Sequence, residues 1–245
     1  MSKIVSQTKK IADLTAEEKF SMLRLLSLEF LGVDKEKFDH DLGEKDVVAL
    51  LRLETTEGEI VGFSTLMTLE LPVKGKKVKG IFSGDTTVLP EYRSSGGIGV
   101  EIGKYFIKTA ETFPDYEVYY ILISKGWRTY KVLPSFFRHF APKYDVPTSE
   151  EDKAVMDAFG RVKYPDNYVP EKGLIVFEPE QTQRLVPGNI DAIPPVDPDL
   201  HTQYFLEKNA TYLSGTELVC IGRVQSENFA PLLTRLIRTA NKQKE

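Results

Sequence analysis

Cysteine and histidine are scarce in this chain of 245 residues, which has one cysteine, Cys220, and three histidines. This scarcity excludes a disulfide framework, an iron–sulfur cluster and any site made of several thiolates. The histidines, His40, His139 and His201, are far apart in sequence without a partner at helical ligand spacing, so we expect no metal site. The cysteine content favours a reducing compartment, and we expect the cytoplasm.

Long apolar runs and an excess of charge are also missing. No run approaches the roughly 20 apolar residues of a membrane-spanning helix, and residues 1–10 lack the apolar core of a signal peptide. The 32 basic and 36 acidic residues give a net charge of -4, which argues against a general nucleic-acid binder. The remaining composition, 41% hydrophobic and 28% charged, is typical of one large globular domain or two small ones.

The first part of the chain predicts a helix followed by three antiparallel strands. Thr15 and Glu18 form a capping-box pattern, and apolar residues at spacings of three and four follow it as far as Gly32. Short apolar runs then cover residues 47–53, 60–71 and 78–89, with turn signals between them and Pro90 after the last. This pattern is typical of a helix that packs on an antiparallel meander.

A group of glycines, Gly96, Gly97 and Gly99, predicts the start of a second helix, and strands and helices alternate after it. These glycines precede residues 100–113, which have helical periodicity, while 118–123 predict a strand and 127–140 a helix that Pro134 kinks or divides. Farther on, we expect helices at 148–159 and 229–240 and strands at 174–177 and 218–224, with much loop between them. The whole predicts a mixed α/β fold, with a core over residues 1–145 and a C-terminal extension over 146–245 packed on it.

The segment from Thr86 to Gly99 carries the chemical signal. Glycines at the first turn of a helix let backbone amides approach phosphate oxygens, and the helix dipole adds to the attraction. Taken alone, the glycines are explained equally well by a tight turn between a strand and a helix. The flanking residues add information, because Val88, a proline, an aromatic residue and Arg93 precede glycines that end in Ile98 and Gly99.

This segment resembles the acyl-coenzyme A (acyl-CoA) signature of the GNAT superfamily of N-acetyltransferases. The predicted order of elements over residues 15–144 is similar to that of the family, and residues 61–63 have its common Val-Gly-Phe pattern. The resemblance implies a GNAT-like fold, with a mixed and mostly antiparallel sheet flanked by helices. It also implies an enzyme that moves an acyl group from acetyl-CoA or another acyl-CoA to an amine of a small molecule.

The resemblance assigns roles to the residues of the signature. The backbone of Thr86 and Val88 would lie along the pantetheine arm, where one amide polarises the thioester carbonyl. The following loop would hold the pyrophosphate through its amides and its cation; it comprises Arg93, Ser94, Ser95, Gly96, Gly97, Ile98 and Gly99.

Two features depart from the family pattern. Three residues separate Arg93 from Gly97 where the family has two, so Ser94 is an alternative occupant of the family's Arg or Gln position. Phenylalanine also stands where family members often have a tyrosine that protonates the leaving thiolate, in the stretch 136–140.

Candidates for proton transfer are Asp85, Glu70, Tyr130 and His139. A carboxylate on a strand near the cleft is the usual acceptor for a proton of an ammonium substrate, and Asp85 qualifies better than Glu70. Strand alternation puts the Asp85 side chain on the face opposite Thr86 unless a β-bulge intervenes. Tyr130 is the candidate catalytic acid, with His139 second, and a packing or surface role is the alternative for both.

Two other functions remain open on the sequence. The extra loop residue, the four lysines among residues 74–79 and the long extension suggest an acyl-carrier protein as the donor, as in autoinducer-synthase relatives of the fold. The missing tyrosine suggests a catalytically silent module that binds a ligand. We expect Cys220 and Trp127 in core packing, whereas Tyr204, Asn209 and Tyr212 could line an acceptor site.

Overall fold

A computed structural model describes residues 3–178 and 182–242 of the chain. Eight α-helices occur in this part of the chain: α1 Ala16–Glu29, α2 Lys35–Gly43, α3 Gly97–Thr112, α4 Trp127–Tyr130, α5 Val132–Phe136, α6 Glu150–Lys163, α7 Leu200–Lys208 and α8 Pro231–Lys242. Its strands are β1 Ile4–Lys10, β2 Phe30–Leu31, β3 Val47–Leu53, β4 Ile60–Leu71, β5 Val78–Val88, β6 Glu117–Ser124, β7 Phe140–Ala141, β8 Tyr168–Val169, β9 Leu174–Ile175, β10 Arg184–Leu185 and β11 Glu217–Arg223.

One large sheet organises the described residues. Its strands follow the order β1-β3-β4-β5-β6-β11-β9-β8, with β7 pairing to β11 beside β9, while β2 and β10 form a separate pair. All pairs in the large sheet are antiparallel except β5 with β6, which are parallel. Residues beyond 145 contribute β8, β9 and β11 to this same sheet, so the end of the chain lies directly beside β6.

Helices cover both faces of the sheet because its strands alternate apolar residues between the faces. Ile81 and Tyr120 belong to the core under α3, α5 and α8, whereas their neighbours Phe82 and Tyr119 belong to the core under α6. A third core, built from α1, α2 and the strands β3 and β4, contains Phe63. The predicted fold class, a mixed α/β protein with a mostly antiparallel sheet flanked by helices, is confirmed.

Helix α1 begins at the capping box that the sequence predicts. The Thr15 hydroxyl accepts a bond from the Glu18 amide, and the Glu18 carboxylate accepts one from the Thr15 amide at 2.8 Å. The same carboxylate, which is almost buried, forms ion pairs with Lys9 of β1 and Arg52 of β3. One cap therefore also fastens the helix to two strands.

Two segments differ from the expectation. Residues 4–10, for which the sequence pattern predicts no element, form the edge strand β1, and Ser6 and Thr8 of this strand donate to the buried Glu101 carboxylate of α3 at 3.0 and 2.8 Å. The expected helix at 127–140 is two short helices followed by β7. Pro134 lies in the first turn of α5, where an amide has no intrahelical partner and its absence costs little.

Within residues 3–178 and 182–242, no helix has both the length and the apolar character that a membrane crossing requires.

Candidate functional site

Strands β5 and β6 separate at one end of the sheet. Their parallel pairing runs from Val78 opposite Glu117 to Ser83 opposite Leu122, whereas β5 continues to Val88. Past Ser83, the edge of β5 that faces β6 has no strand partner among the described residues. Backbone groups on such an edge are available to bond with a ligand.

A β-bulge lies at the point of separation. Ser64 of β4 is opposite Thr86 and Leu66 is opposite Ser83, so Gly84 and Asp85 together face one residue of β4. Strict alternation would put the side chains of Asp85 and Thr86 on opposite faces of the sheet. The bulge interrupts this alternation, and both residues line the same cavity.

Lysine 45 explains why glycine occupies the bulge. A Cβ atom at Gly84 would lie 2.7 Å from Cε of Lys45 and 2.7 Å from the Thr65 hydroxyl. The Lys45 side chain is fully buried, and its ammonium donates to the Asp41 backbone carbonyl at 2.8 Å and pairs with the Asp41 carboxylate at 3.1 Å. The buried Lys45 side chain therefore packs against the bulge at Gly84, and Asp41, near the end of α2, binds its ammonium.

The cavity at the separation, which we call the β5–β6 cleft, has a volume of about 320 Å³. Polar groups at its lining come from four parts of the chain and include Asp41, Ser83, Asp85, Thr86, Lys125 and Glu217. Its apolar walls include Phe30, Phe38, Phe82, Tyr164 and Phe177. The cleft thus combines aromatic walls with a small number of charged groups, as small-molecule sites do.

Asp85 is the exceptional charge in this cleft. It has no hydrogen bond or ion pair with any described residue, although it is only partly exposed. Burial raises the pKa of its carboxyl to about 6; the charge of Asp41 adds to the rise, while Lys125 and Lys45 oppose it. At neutral pH the carboxylate is ionised and can accept a proton, which suits a general base.

The other charges at the lining have partners. Glu217 forms an ion pair with Lys125 at 3.1 Å, and burial raises the pKa of the Glu217 carboxyl. The Lys125 ammonium also lies 5.2 Å from the centre of the Phe30 ring. Asp41, besides its pairing with Lys45, lies 3.8 Å from the ammonium of Lys163.

A chain of hydroxyl groups leads from the cleft into the core. Ser64 bonds to Thr86 at 2.8 Å and to Ser83 at 3.0 Å, and Ser83 lies near the hydroxyl of the buried Tyr120. Burial raises the pKa of the Tyr120 hydroxyl. The sequence analysis missed this chain; serine and threonine inside the apolar runs of β4 and β5 were the signal for it.

The glycine-rich loop leads from β5 into α3. A short 3-10 helix, Pro90–Ser95, is followed by Gly96 at φ +73°, a left-handed conformation that favours glycine, and α3 begins at Gly97. The first turn of α3 carries no acidic side chain, and a helix of 16 residues presents a positive dipole end there. This arrangement is suited to an anion.

The glycines of the loop also serve packing. A Cβ atom at Gly97 would lie 2.4 Å from Cδ1 of Leu51, so this position faces the sheet. A Cβ atom at Gly99 would lie 2.8 Å from Cδ1 of Leu236 and 3.4 Å from Cζ of Phe136. Side chains of α8 and α5 therefore lie directly beside the loop.

Arg93 is engaged within the protein. Its guanidinium pairs with Glu29 at the end of α1 at 2.5 Å, and its Nε donates to the backbone carbonyl of Val88 at 2.9 Å. Glu29 also accepts a bond from Asn189 at 2.5 Å. A phosphate would have to compete with Glu29 for this arginine, whereas Ser94 and Ser95 are exposed.

The structure does not bring Tyr130 to the cleft. The Tyr130 side chain is fully buried, its hydroxyl donates to the carbonyl of Pro142 at 2.9 Å, and its ring packs against Tyr204 and Phe205. Burial also raises the pKa of this hydroxyl. These contacts describe a packing residue.

The remaining candidates also lie outside the lining of the cleft. Glu70 pairs with Lys79 on the surface at 3.0 Å, and His139 is exposed at another cavity. Cys220 is fully buried in β11, where burial raises the pKa of its thiol to about 12. The three residues that could line an acceptor site are part of the protein interior. Asn209 and Tyr212 are buried, and Tyr204 packs against the core.

Comparison with known proteins gives partial and distant similarity. No family model matches the chain, and no curated protein matches it significantly. A probable N-acyltransferase from Enterococcus faecalis V583 is 16% identical over 56% of this chain and 33% of its own, with a TM-score of 0.41. A GNAT family N-acetyltransferase from Escherichia coli, solved in complex with CoA, is 14% identical over 51% and 64%, with a TM-score of 0.37.

A third solved structure, glucosamine-6-phosphate N-acetyltransferase from Arabidopsis thaliana, is 20% identical over 49% of this chain and 81% of its own, with a TM-score of 0.34. The chain spans a third of the first of these proteins and just under two thirds of the second. At these identities and TM-scores, the similarity carries no conclusion about the function of this chain.

Proposed function

We propose that this protein is a GNAT-like acyltransferase that moves an acyl group from acetyl-CoA or another acyl-CoA to an amine of a small molecule. The observation that carries the proposal is the uncommitted Asp85 carboxylate, placed by a bulge where β5 leaves β6. The glycine-rich start of α3 follows in the same segment, as the resemblance of residues 86–99 to the family signature requires.

The donor would be held by backbone groups. The edge of β5 at Thr86 and Val88 suits the amide-containing pantetheine arm, although the Val88 carbonyl already accepts a bond from Arg93, and the amides of Gly97, Ile98 and Gly99 suit the pyrophosphate. An acyl-CoA supplies an activated thioester. The space for a pyrophosphate is small beside Gly99, because Leu236 and Phe136 pack against the backbone there.

The acceptor would enter the β5–β6 cleft. Its ammonium loses a proton to the Asp85 carboxylate, and the resulting amine forms a bond to the acyl carbon while the bond from that carbon to sulfur breaks. The thiolate that leaves needs a proton. The nitrogen must lose its second proton as the amide forms, and the Thr86 hydroxyl, at the cleft end of the hydroxyl chain, is the candidate to pass that proton to the thiolate in place of Tyr130.

A calorimetric titration of the full chain with CoA tests the donor half of the proposal. We expect saturable binding, and no binding at millimolar CoA would refute it. Ser94→Glu places a negative charge at the loop and should weaken binding by about tenfold or more. The matched control is Ser27→Glu on the exposed face of α1, which should leave binding unchanged.

A silent ligand-binding module is the second candidate, and it is favoured by the packing of Leu236 on Gly99 together with the Arg93–Glu29 pair. Turnover of acetyl-CoA with any amine, followed by release of free thiol, would decide against it. An acyl-carrier protein as donor is the other variant. Comparing acyl-CoA with acylated carrier protein in the same assay distinguishes the two donors.

A further inference from the structure

The walls of the β5–β6 cleft are built from aromatic rings that already pack edge to face. Tyr164 lies 5.7 Å from Phe177 at an interplanar angle of 85° and 6.5 Å from Phe82 at 85°. Phe82 is buried, whereas Phe177 and Phe30 are partly exposed. An aromatic guest can continue this edge-to-face arrangement, which aromatic pairs prefer over direct stacking.

The charges around the cleft leave one place for a charged guest. Among the charged residues of the lining, Lys125 pairs with Glu217, Asp41 pairs with Lys45 and Lys163, and Lys37 also has a partner, whereas Asp85 has no ion pair among the described residues. One uncommitted carboxylate can neutralise one cation. Any second charge on the guest would have to lose its water among aromatic rings without a counterion, which is costly.

The volume of the cleft limits the size of the guest. About 320 Å³ is near the lower end of the range for small-molecule sites, roughly 300 to 1,000 Å³. The cleft therefore suits a compact molecule.

Resting on the acyl transfer proposed above, we propose that the acceptor is a compact primary amine with one positive charge and an aromatic body, its ammonium at Asp85 and its ring against Phe177 and Phe30. A polyamine would bring a second cation among the rings. An amino acid would bring its carboxylate toward Asp85, where like charges repel, and the two lysines of the lining, Lys37 and Lys125, already have partners.

Direct binding of three probes tests this inference without requiring catalysis. We would titrate 2-phenylethylamine, spermidine and phenylalanine into the full chain by calorimetry. We expect 2-phenylethylamine to bind about tenfold or more tightly than either of the others. Equal or tighter binding of spermidine or phenylalanine would overturn the inference.

Two variants test the assigned contacts. Asp85→Asn removes the charge at constant size and should weaken 2-phenylethylamine by about tenfold or more, whereas Phe177→Leu removes the ring and should weaken it several-fold. The matched controls are Asp115→Asn and Phe20→Leu, both at exposed positions outside the cleft, and they should bind as the unmodified protein does. Unchanged binding in Asp85→Asn, with an intact unfolding transition, would overturn the assignment.

The same protein preparation separates this inference from the proposed reaction. Acetylation of spermidine in preference to 2-phenylethylamine would support acyl transfer and overturn the aromatic acceptor. Binding of 2-phenylethylamine that depends on Asp85, without any binding of CoA, would support the amine site and overturn acyl transfer.

Discussion

The Asp85 carboxylate should cost the folded protein free energy whenever it is ionised, and Asp85→Asn should remove that cost. The pKa rises from 3.8 to about 6 in the folded state because burial disfavours the charge. At about 1.4 kcal/mol per unit, ionisation costs the folded state up to about 3 kcal/mol. Since part of the carboxylate faces the open cleft, we take this figure as an upper bound.

The sign follows from proton binding. The folded protein holds the Asp85 proton more tightly than the unfolded chain, so the stability of the unmodified protein falls as pH rises from about 4 to about 6. Above that range the loss is complete and constant. Asparagine has no such titration, so the advantage of the variant should grow across this window and then level off.

Urea denaturation at pH values from 4 to 8 measures the effect. We expect the free energy of unfolding of Asp85→Asn, relative to the unmodified protein, to increase between pH 4 and 6 by up to about 3 kcal/mol. The exposed Asp115→Asn should show no such change and serves as the control. A difference that is independent of pH, or one that falls with rising pH, would show that Asp85 is not desolvated as the cleft geometry requires.

Three further substitutions test other parts of the site. Leu236→Ala removes the methyl groups that pack on Gly99, so CoA should bind several-fold more tightly by calorimetry while the melting temperature falls; unchanged affinity would mean that this space is not limiting. Tyr130→Phe loses its bond to Pro142 and should lower the free energy of unfolding by about 1 kcal/mol with turnover kept, whereas a large loss of turnover would make Tyr130 catalytic. Gly97→Ala forces a methyl group against β3 and should cost about 1–3 kcal/mol in urea denaturation; a neutral result would contradict that packing.

The elements that local patterns specify were predictable. Hydrophobic periodicity and turn residues predicted the positions of three features: the capping box at Thr15, the three strands of the meander and helix α3 after its glycines. Strand β1 was missed because its polar side chains find their partner, the Glu101 carboxylate, on a helix that lies about 90 residues away along the chain. No local pattern contains that information.

The candidate site was predictable only where a local pattern specifies its residues. Thr86 could be named from the signature and Asp85 from its place on the strand that leads to it, but the bulge that brings them to one cavity depends on the register between β4 and β5. The pairing of Arg93 with Glu29 could not be predicted, because it depends on where α1 ends in space. Phe177 and Glu217 entered the cleft only through the position of the last third of the chain.

The place of β11 next to β6 also bears on how the protein is made. Glu217 of β11 is part of the lining of the β5–β6 cleft. More than 200 residues must therefore have left the ribosome before the cleft can be complete. The meander and α3 can fold earlier on the nascent chain, with β6 exposed as an open sheet edge. Binding competence should therefore arise late in synthesis, and until β11 pairs with it that edge is the natural target of chaperones or of self-association.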